Sequence, residues 1–211
     1  MLKIKSFEFS PIQENTYILY NEFNDCVIID PGCYFDDEKE ELVQYIDKMG
    51  LKPKMLLNTH CHLDHVFGNK FIAEKFGLTL HIHENEKPVL AFAATSGLMY
   101  NLPFDNYTGD LIFLKEHEKI RLGDDELDIL LTPGHSPGSL SFYCKKENFV
   151  ISGDALFYRS IGRTDLPLGN HETLIKSIRE KLFSLPAETK VYSGHGPVTT
   201  IGEEKEENPF F

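Results

Sequence analysis

Three apolar runs in this chain end the same way, in a glycine-containing turn that carries a side chain able to bind metal. "LLTPGHSPGS" brings His135, "FVISGDALF" brings Asp154 and "VYSGHGP" brings His195. A fourth run, "KMLLNT", leads straight into "HCHLDH", which packs His60, Cys61, His62, Asp64 and His65 into six consecutive positions. A strand end delivers its loop to the edge of a sheet, where α/β proteins tend to build their sites. The repetition therefore asks for a fold that brings four strand ends to one rim.

The rest of the pattern supports such a fold. "KIKSFEFS", "NTYILYN" and "DCVIIDPG" read as successive strands, the last closed by Pro31-Gly32. "DDEKEELVQYIDKMG" predicts an amphipathic helix: Leu42, Val43, Ile46 and Met49 keep helical spacing, acidic residues fill the first turn and Gly50 stands at the C-cap. "KMLLNT" reads as a buried strand, "HVFGNKFIAEKFG" as a second helix stopped by Gly77, and "LTLHIH" as a strand. The segment 84–109 predicts a short helix and then a loop near the site entrance. "KIRLG", "DELDILLTPG", "SLSFYCKK" and "NFVISGD" follow as strands, then the helix "HETLIKSIREKLFSL" and a last strand "TKVYSG". This order does not simply alternate β and α, so an α/β sandwich with helices outside fits better than a doubly wound sheet. No linker, repeat or low-complexity stretch divides the chain, and residues 1–211 read as one domain.

Alternate residues of an extended segment point the same way. His60 and His62 can therefore converge on one ion, with Cys61 turned to the packing side. Asp64 and His65, past the turn, can reach a second point nearby. Four ligands do not complete two sites, and His135, Asp154 and His195 supply the remainder. His60, His62 and His135 form a three-nitrogen set; Asp64, His65 and His195 form a second; Asp154 can span the pair. Nitrogen and oxygen donors without thiolate suit two divalent ions, zinc first, with iron or manganese compatible. His81, His83, His117 and His171 fall outside the pattern.

Composition narrows the function. Hydrophobic residues make up 41% and charged residues 26%, and no apolar run nears the ~20 residues that cross a bilayer. The formal net charge is −12 with no basic run, which argues against a nucleic-acid partner. The N-terminus alternates like a strand and lacks a secretory core, so the cytoplasm is the expected compartment. The four cysteines form no C-x-x-C pair, and reduced structural thiols are expected.

These residues also resemble a known family. "THCHLDH" is similar to the T-H-x-H-x-D-H signature of the metallo-β-lactamase superfamily, and "TPGHSPGS", "SGDALF" and "SGHGPVTTIGEEKEENPFF" match its later motifs in order. "SIGRTDLPLGN" and the C-terminal run most resemble short bacterial members of its glyoxalase II (hydroxyacylglutathione hydrolase) branch. The resemblance implies an αββα four-layer sandwich of two mixed β-sheets flanked by helices, with a binuclear site at one edge. It assigns the seven ligands as above and gives Arg163 a place near a glutathione carboxylate. Longer members carry a further helical segment that contacts glutathione. The present sequence departs from that pattern after His195, which leaves the thiol carrier open.

The expected activity is hydrolysis of a thioester such as S-lactoylglutathione, a small molecule, by hydroxide generated at the metal pair. Asp64 would orient that hydroxide or take its proton. Two rival expectations remain. One is a persulfide dioxygenase of the same fold, with one iron held by His60, His135 and Asp154. The other is a non-catalytic metal-binding module.

Overall fold

The alternating N-terminal segments pair as their pattern predicts. In the computed structural model, which describes residues 1–211, β1 (Lys3–Phe9) runs antiparallel to β2 (Glu14–Tyr20), and β2 to β3 (Asp25–Ile29). β4 (Lys52–Leu57), β5 (Leu80–His83) and β6 (Leu111–Leu114) then add in parallel, completing a six-stranded mixed sheet in the order β1-β2-β3-β4-β5-β6. The second sheet holds β7 (Lys119–Leu122), β8 (Asp125–Leu131), β9 (Leu140–Cys144) and β10 (Phe149–Gly153). A small hairpin, β11 (Leu156–Phe157) and β12 (Ser160–Ile161), follows β10. β13 (Lys190–Ser193) and β14 (Thr199–Thr200) complete the second sheet, whose order is β14-β13-β10-β9-β8-β7. Only the β10–β13 pair in it is parallel.

Side-chain alternation divides the interior into layers. Leu19, Val27, Ile29 and Leu57 of the first sheet meet Ile129, Leu140, Phe142 and Ile151 of the second. The intervening residues Ile18, Ile28 and Leu56 point the other way, onto helices α1 (Asp36–Met49), α3 (Asn69–Phe76) and α4 (Lys87–Met99). On the far side of the second sheet, Val150 and Val191 pack under α5 (His171–Ser177), its π-type continuation Ile178–Leu182, and α6 (Ile201–Glu207). The result is the four-layer arrangement that the sequence resemblance implied: two mixed sheets flanked by helices. Central strands buried on both faces read as continuous apolar runs, because neither face meets water.

Two elements differ from expectation. The predicted helix starting at His65 is two helices, α2 (Leu63–Val66) and α3, separated at Phe67-Gly68. Gly68 donates its N–H to the Pro31 carbonyl at 2.7 Å, and a Cβ there would strike Cys33 Sγ. The helix breaks because its backbone is needed against the β3 loop. In the segment 84–109, a 3₁₀ turn (Glu84–Glu86) leads into α4, which is 13 residues long and not short. Its apolar residues occupy several faces, so no amphipathic period marks its length. No helix is long and apolar enough to cross a membrane.

Candidate metal centre

The site grows from strand ends at one rim. β4 runs out through Asn58 and Thr59 to His60; His62 is the N-cap of α2, and Asp64 and His65 lie in that helix's first turn. His135 stands in the β8–β9 loop, where Gly134 takes φ +134° and a side chain would strike the backbone of Leu174. Asp154 follows β10 and His195 follows β13. All seven residues singled out in the sequence meet here.

They form two touching clusters. His62 Nδ1 lies 2.8 Å from His135 Nε2, which lies 3.1 Å from His60 Nε2. His195 Nε2 lies 3.1 Å from Asp64 Oδ2, and His65 Nε2 lies 3.7 Å from the same oxygen. Asp154 faces both: Oδ2 is 3.4 Å from His135 Nε2, and Oδ1 is 3.3 Å from His65 Nε2. Each trio, His60–His62–His135 and Asp64–His65–His195, keeps its ligand atoms within 4.8 Å of one another.

The hydrogen bonds behind the rings fix which nitrogens face inward. His135 Nδ1 is 2.7 Å from the Arg163 carbonyl, which only accepts, so Nδ1 carries a proton and in the neutral ring Nε2 presents a lone pair. Thr59 Oγ1 donates to Asp30 Oδ2 at 2.6 Å and therefore accepts from His60 Nδ1 at 3.1 Å. His60 Nε2 thus also presents a lone pair, and two lone pairs oppose each other at 3.1 Å. A cation between them removes that repulsion. His65 Nδ1 donates to Asp30 Oδ2 at 3.1 Å and His195 Nδ1 to the Gln13 carbonyl at 3.0 Å. Their Nε2 atoms face the carboxylates, and buried His65 Nε2 and Asp154 Oδ1 have no hydrogen-bond partner. Gly194 keeps that spot open, since a Cβ there would fall on Asp154 Oδ1 and beside His65 Cε1. These residues fit metal ions as a donor set, and both clusters could hold one.

The two clusters differ in charge. Burial, then the neighbouring imidazoles His65 and His135, push His60 well below the ordinary histidine range. Burial and His135 hold His62 down to about 3. For His65 burial acts downward, but Asp154 and Asp64 outweigh it and raise the ring well above the usual value. His195 is raised against its burial by the bond to Asp64 and by Asp154. The same cations hold Asp154 well below the carboxylate range, although burial alone would raise it.

Three carboxylates escaped sequence reasoning. Asp30 closes β3 and collects Thr59 N at 2.7 Å, Thr59 Oγ1, Asn58 Nδ2 and His65 Nδ1. Glu86 accepts from Cys61 N at 2.8 Å, Ser136 Oγ at 2.6 Å and Gly138 N at 2.7 Å, tying the His60–His62 loop to the His135 loop. Glu14 is fully buried 3.8 Å from His65 Nδ1, on the side away from Asp154. Cys61 is buried in the apolar core, the packing position expected of it. His81, His83, His117 and His171 belong to neither trio.

Above the clusters opens a cavity of about 790 Å³, floored by His62, Asp64, His135, Asp154 and His195. Arg163 reaches its rim with its guanidinium in a bidentate pair with Asp165, both contacts 2.7 Å. That guanidinium holds the Asp165 carboxyl down to about 2.

Residues 10–195 match the model of the metallo-beta-lactamase superfamily. The chain belongs to that superfamily. A Bacillus subtilis (strain 168) superfamily relative, "probable metallo-hydrolase YqgX", is 42% identical over 99% of this chain and 97% of its own. "Hydroxyacylglutathione hydrolase GloC" of Haemophilus influenzae is 37% identical over 99% of this chain and 98% of its own. The solved structure "TTHA1623 in a di-iron-bound form" superposes with a TM-score of 0.89 at 36% identity, covering 98% of this chain and all of that one. Metallo-beta-lactamase proteins bind divalent metals, and this chain is a metal-dependent hydrolase of that superfamily by its relatives.

Proposed function

We propose that the chain hydrolyses thioesters with two divalent ions, one held by His60, His62 and His135 and one by Asp64, His65 and His195. Asp154 lies between the sets, with Oδ2 3.4 Å from His135 and 3.7 Å from His195 and Oδ1 3.3 Å from His65, and that placement of a single buried carboxylate against both trios is the observation that carries a binuclear reading. Zinc suits the donor set, and the di-iron form of TTHA1623 makes iron an equal candidate. When bound, the ions supply a water acidified toward neutrality and a Lewis-acid contact for a carbonyl oxygen.

The chain's own groups supply the rest. Asp64 is held ionised: burial acts upward on its carboxyl, and His65 and His195 outweigh it. It lies on the cavity floor and takes the proton of the attacking water. The water oxygen bonds to the carbonyl carbon and the C–S bond breaks. A thiol with pKa about 8.5 leaves readily as thiolate, so no dedicated general acid is needed. The relative named hydroxyacylglutathione hydrolase supports S-(2-hydroxyacyl)glutathione as the first substrate to test.

The experiment is a thioester panel on metal-reconstituted protein, beginning with S-lactoylglutathione, beside metal analysis. Turnover with two metals per chain is expected. Oxygen uptake on glutathione persulfide with one iron per chain and no thioester turnover would overturn it in favour of a dioxygenase. No turnover of either kind would leave a metal-binding module.

A further inference from the structure

Beyond its metal-ligand floor, the cavity is mostly apolar. Eleven of its twenty lining residues are hydrophobic. α4 contributes Val89 and Phe92 to the cavity walls, the α4 C-cap contributes Tyr100, and the loop Leu166–Leu168 lines it as well. α4 packs Leu90, Ala93 and Gly97 against the protein body and still leaves Phe92 47% exposed, with Tyr100 at its C-cap 53% exposed. Leu168 is 59% exposed and is held at φ +70°. That left-handed conformation is uncommon for a leucine and persists only where the surroundings fix it. Half-exposed apolar side chains lining one cavity over a reactive floor are unusual on a free surface, and such patches mark binding grooves.

Charge points the same way. The one lysine or arginine lining the cavity is Arg163, and Asp165 already neutralises it. Glutathione carries two carboxylates against one ammonium, and the protein carries a net charge of −12. We propose that this cavity receives an uncharged apolar group, borne on the acyl or the thiol side of the substrate. This rests on the thioesterase reading and specifies its substrate class. Phe92 and Leu168 are the specificity determinants, contacting the apolar group while Asp64 and Asp154 lie beneath the scissile carbonyl.

Binding is measured first, by calorimetry with non-hydrolysable S-alkyl-N-acetylcysteamine thioethers, from methyl to octyl, and with S-methyl- and S-octylglutathione. Affinity is expected to rise up to about fourfold per buried methylene until the cavity fills. Phe92→Ser and Leu168→Ser should each flatten that rise. Turnover then locates the group. One arm varies the acyl chain on N-acetylcysteamine from acetyl to octanoyl; the other varies the alkanethiol of lactoyl thioesters. A rise in kcat/KM in one arm assigns the apolar group to that side.

Equal affinity of methyl and octyl ligands overturns the proposal, as does affinity that follows the glutathione moiety alone. So does a stable dimer that buries α4 and abolishes any chain-length effect. Protein that binds the octyl thioether yet hydrolyses no thioester keeps the cavity assignment and sinks the hydrolase reading. An active thioesterase with flat chain-length profiles does the opposite.

Discussion

At the scale of single residues, Glu86 has the clearest consequence. Its carboxylate has no exposed surface and is met by three neutral donors from two ligand-bearing loops. Glu86→Gln turns one acceptor into a donor facing a donor, an unmet buried contact of ~1–3 kcal/mol. Because the strain falls between His60–His62 and His135, metal affinity of that trio should drop about 10–100-fold, as supporting contacts of metal ligands usually do. Chelator competition on folded protein measures it. A role in folding alone would shift the urea midpoint of metal-free protein and leave that affinity unchanged. Gly194→Ala is the counterpart for the other cluster: its methyl would fall on Asp154 Oδ1 and beside His65. Metal analysis after dialysis should then find one ion per chain where the parent holds two. The seven ligand-type residues are legible because the same pattern, an apolar run ending in a turn with histidine or aspartate, recurs four times and is densest in "HCHLDH". Asp30 is not, since "IIDPG" reads equally as a plain turn. Glu86 is not, since "HENEK" reads as a solvated charge run.

At the scale of elements, the β4–α2 segment divides its histidines between clusters of opposite protonation. His60 and His62 are held low, His62 to about 3, so at pH 7 both are neutral and have no proton to lose when they bind a metal. His65 and His195 are raised by Asp64 and Asp154, so in metal-free protein they keep protons that a metal must displace. Loading of their cluster should therefore weaken as pH falls below their raised values. Binding at His60 and His62 should feel no proton competition from these two rings until far more acid solution. Calorimetric metal titrations in two buffers of different ionisation enthalpy test this. The heat of one binding event should depend on the buffer more strongly than that of the other, and Asp64→Asn should reduce the difference. Equal proton release in both events would refute the division. Elements with a clear period, such as α1 with its Gly50 cap, were legible for that reason. The sequence predicts too short an α4 because its apolar residues do not segregate to one face, the same feature that leaves Phe92 free to line the cavity.

At the scale of the whole molecule, the four-layer frame and the metal clusters are separable. Buried residues form two large apolar clusters, of 18 and 16 members, on either face of the first sheet, and a third of 10 outside the second. None needs a metal to close, unlike small zinc domains whose folding is metal binding. Phe142, fully buried between the sheets, belongs to that frame, and Phe142→Ala should cost ~3–5 kcal/mol, read from urea unfolding of metal-free protein. Metal acts on the folded state only by mass action, about 2.7 kcal/mol at a hundredfold excess over Kd. For a chain of 211 residues this corresponds to a Tm shift of about 5–10 °C for each ion and about 10–20 °C for the pair. Chelation should therefore lower Tm by that order, abolish turnover and leave the far-ultraviolet circular dichroism unchanged. Loss of secondary structure on chelation would mean that the strand ends meet because the ions draw them together. Retention means that the sandwich brings them together and the ions bind a rim already built, with opposed lone pairs on His60 and His135 waiting for a cation.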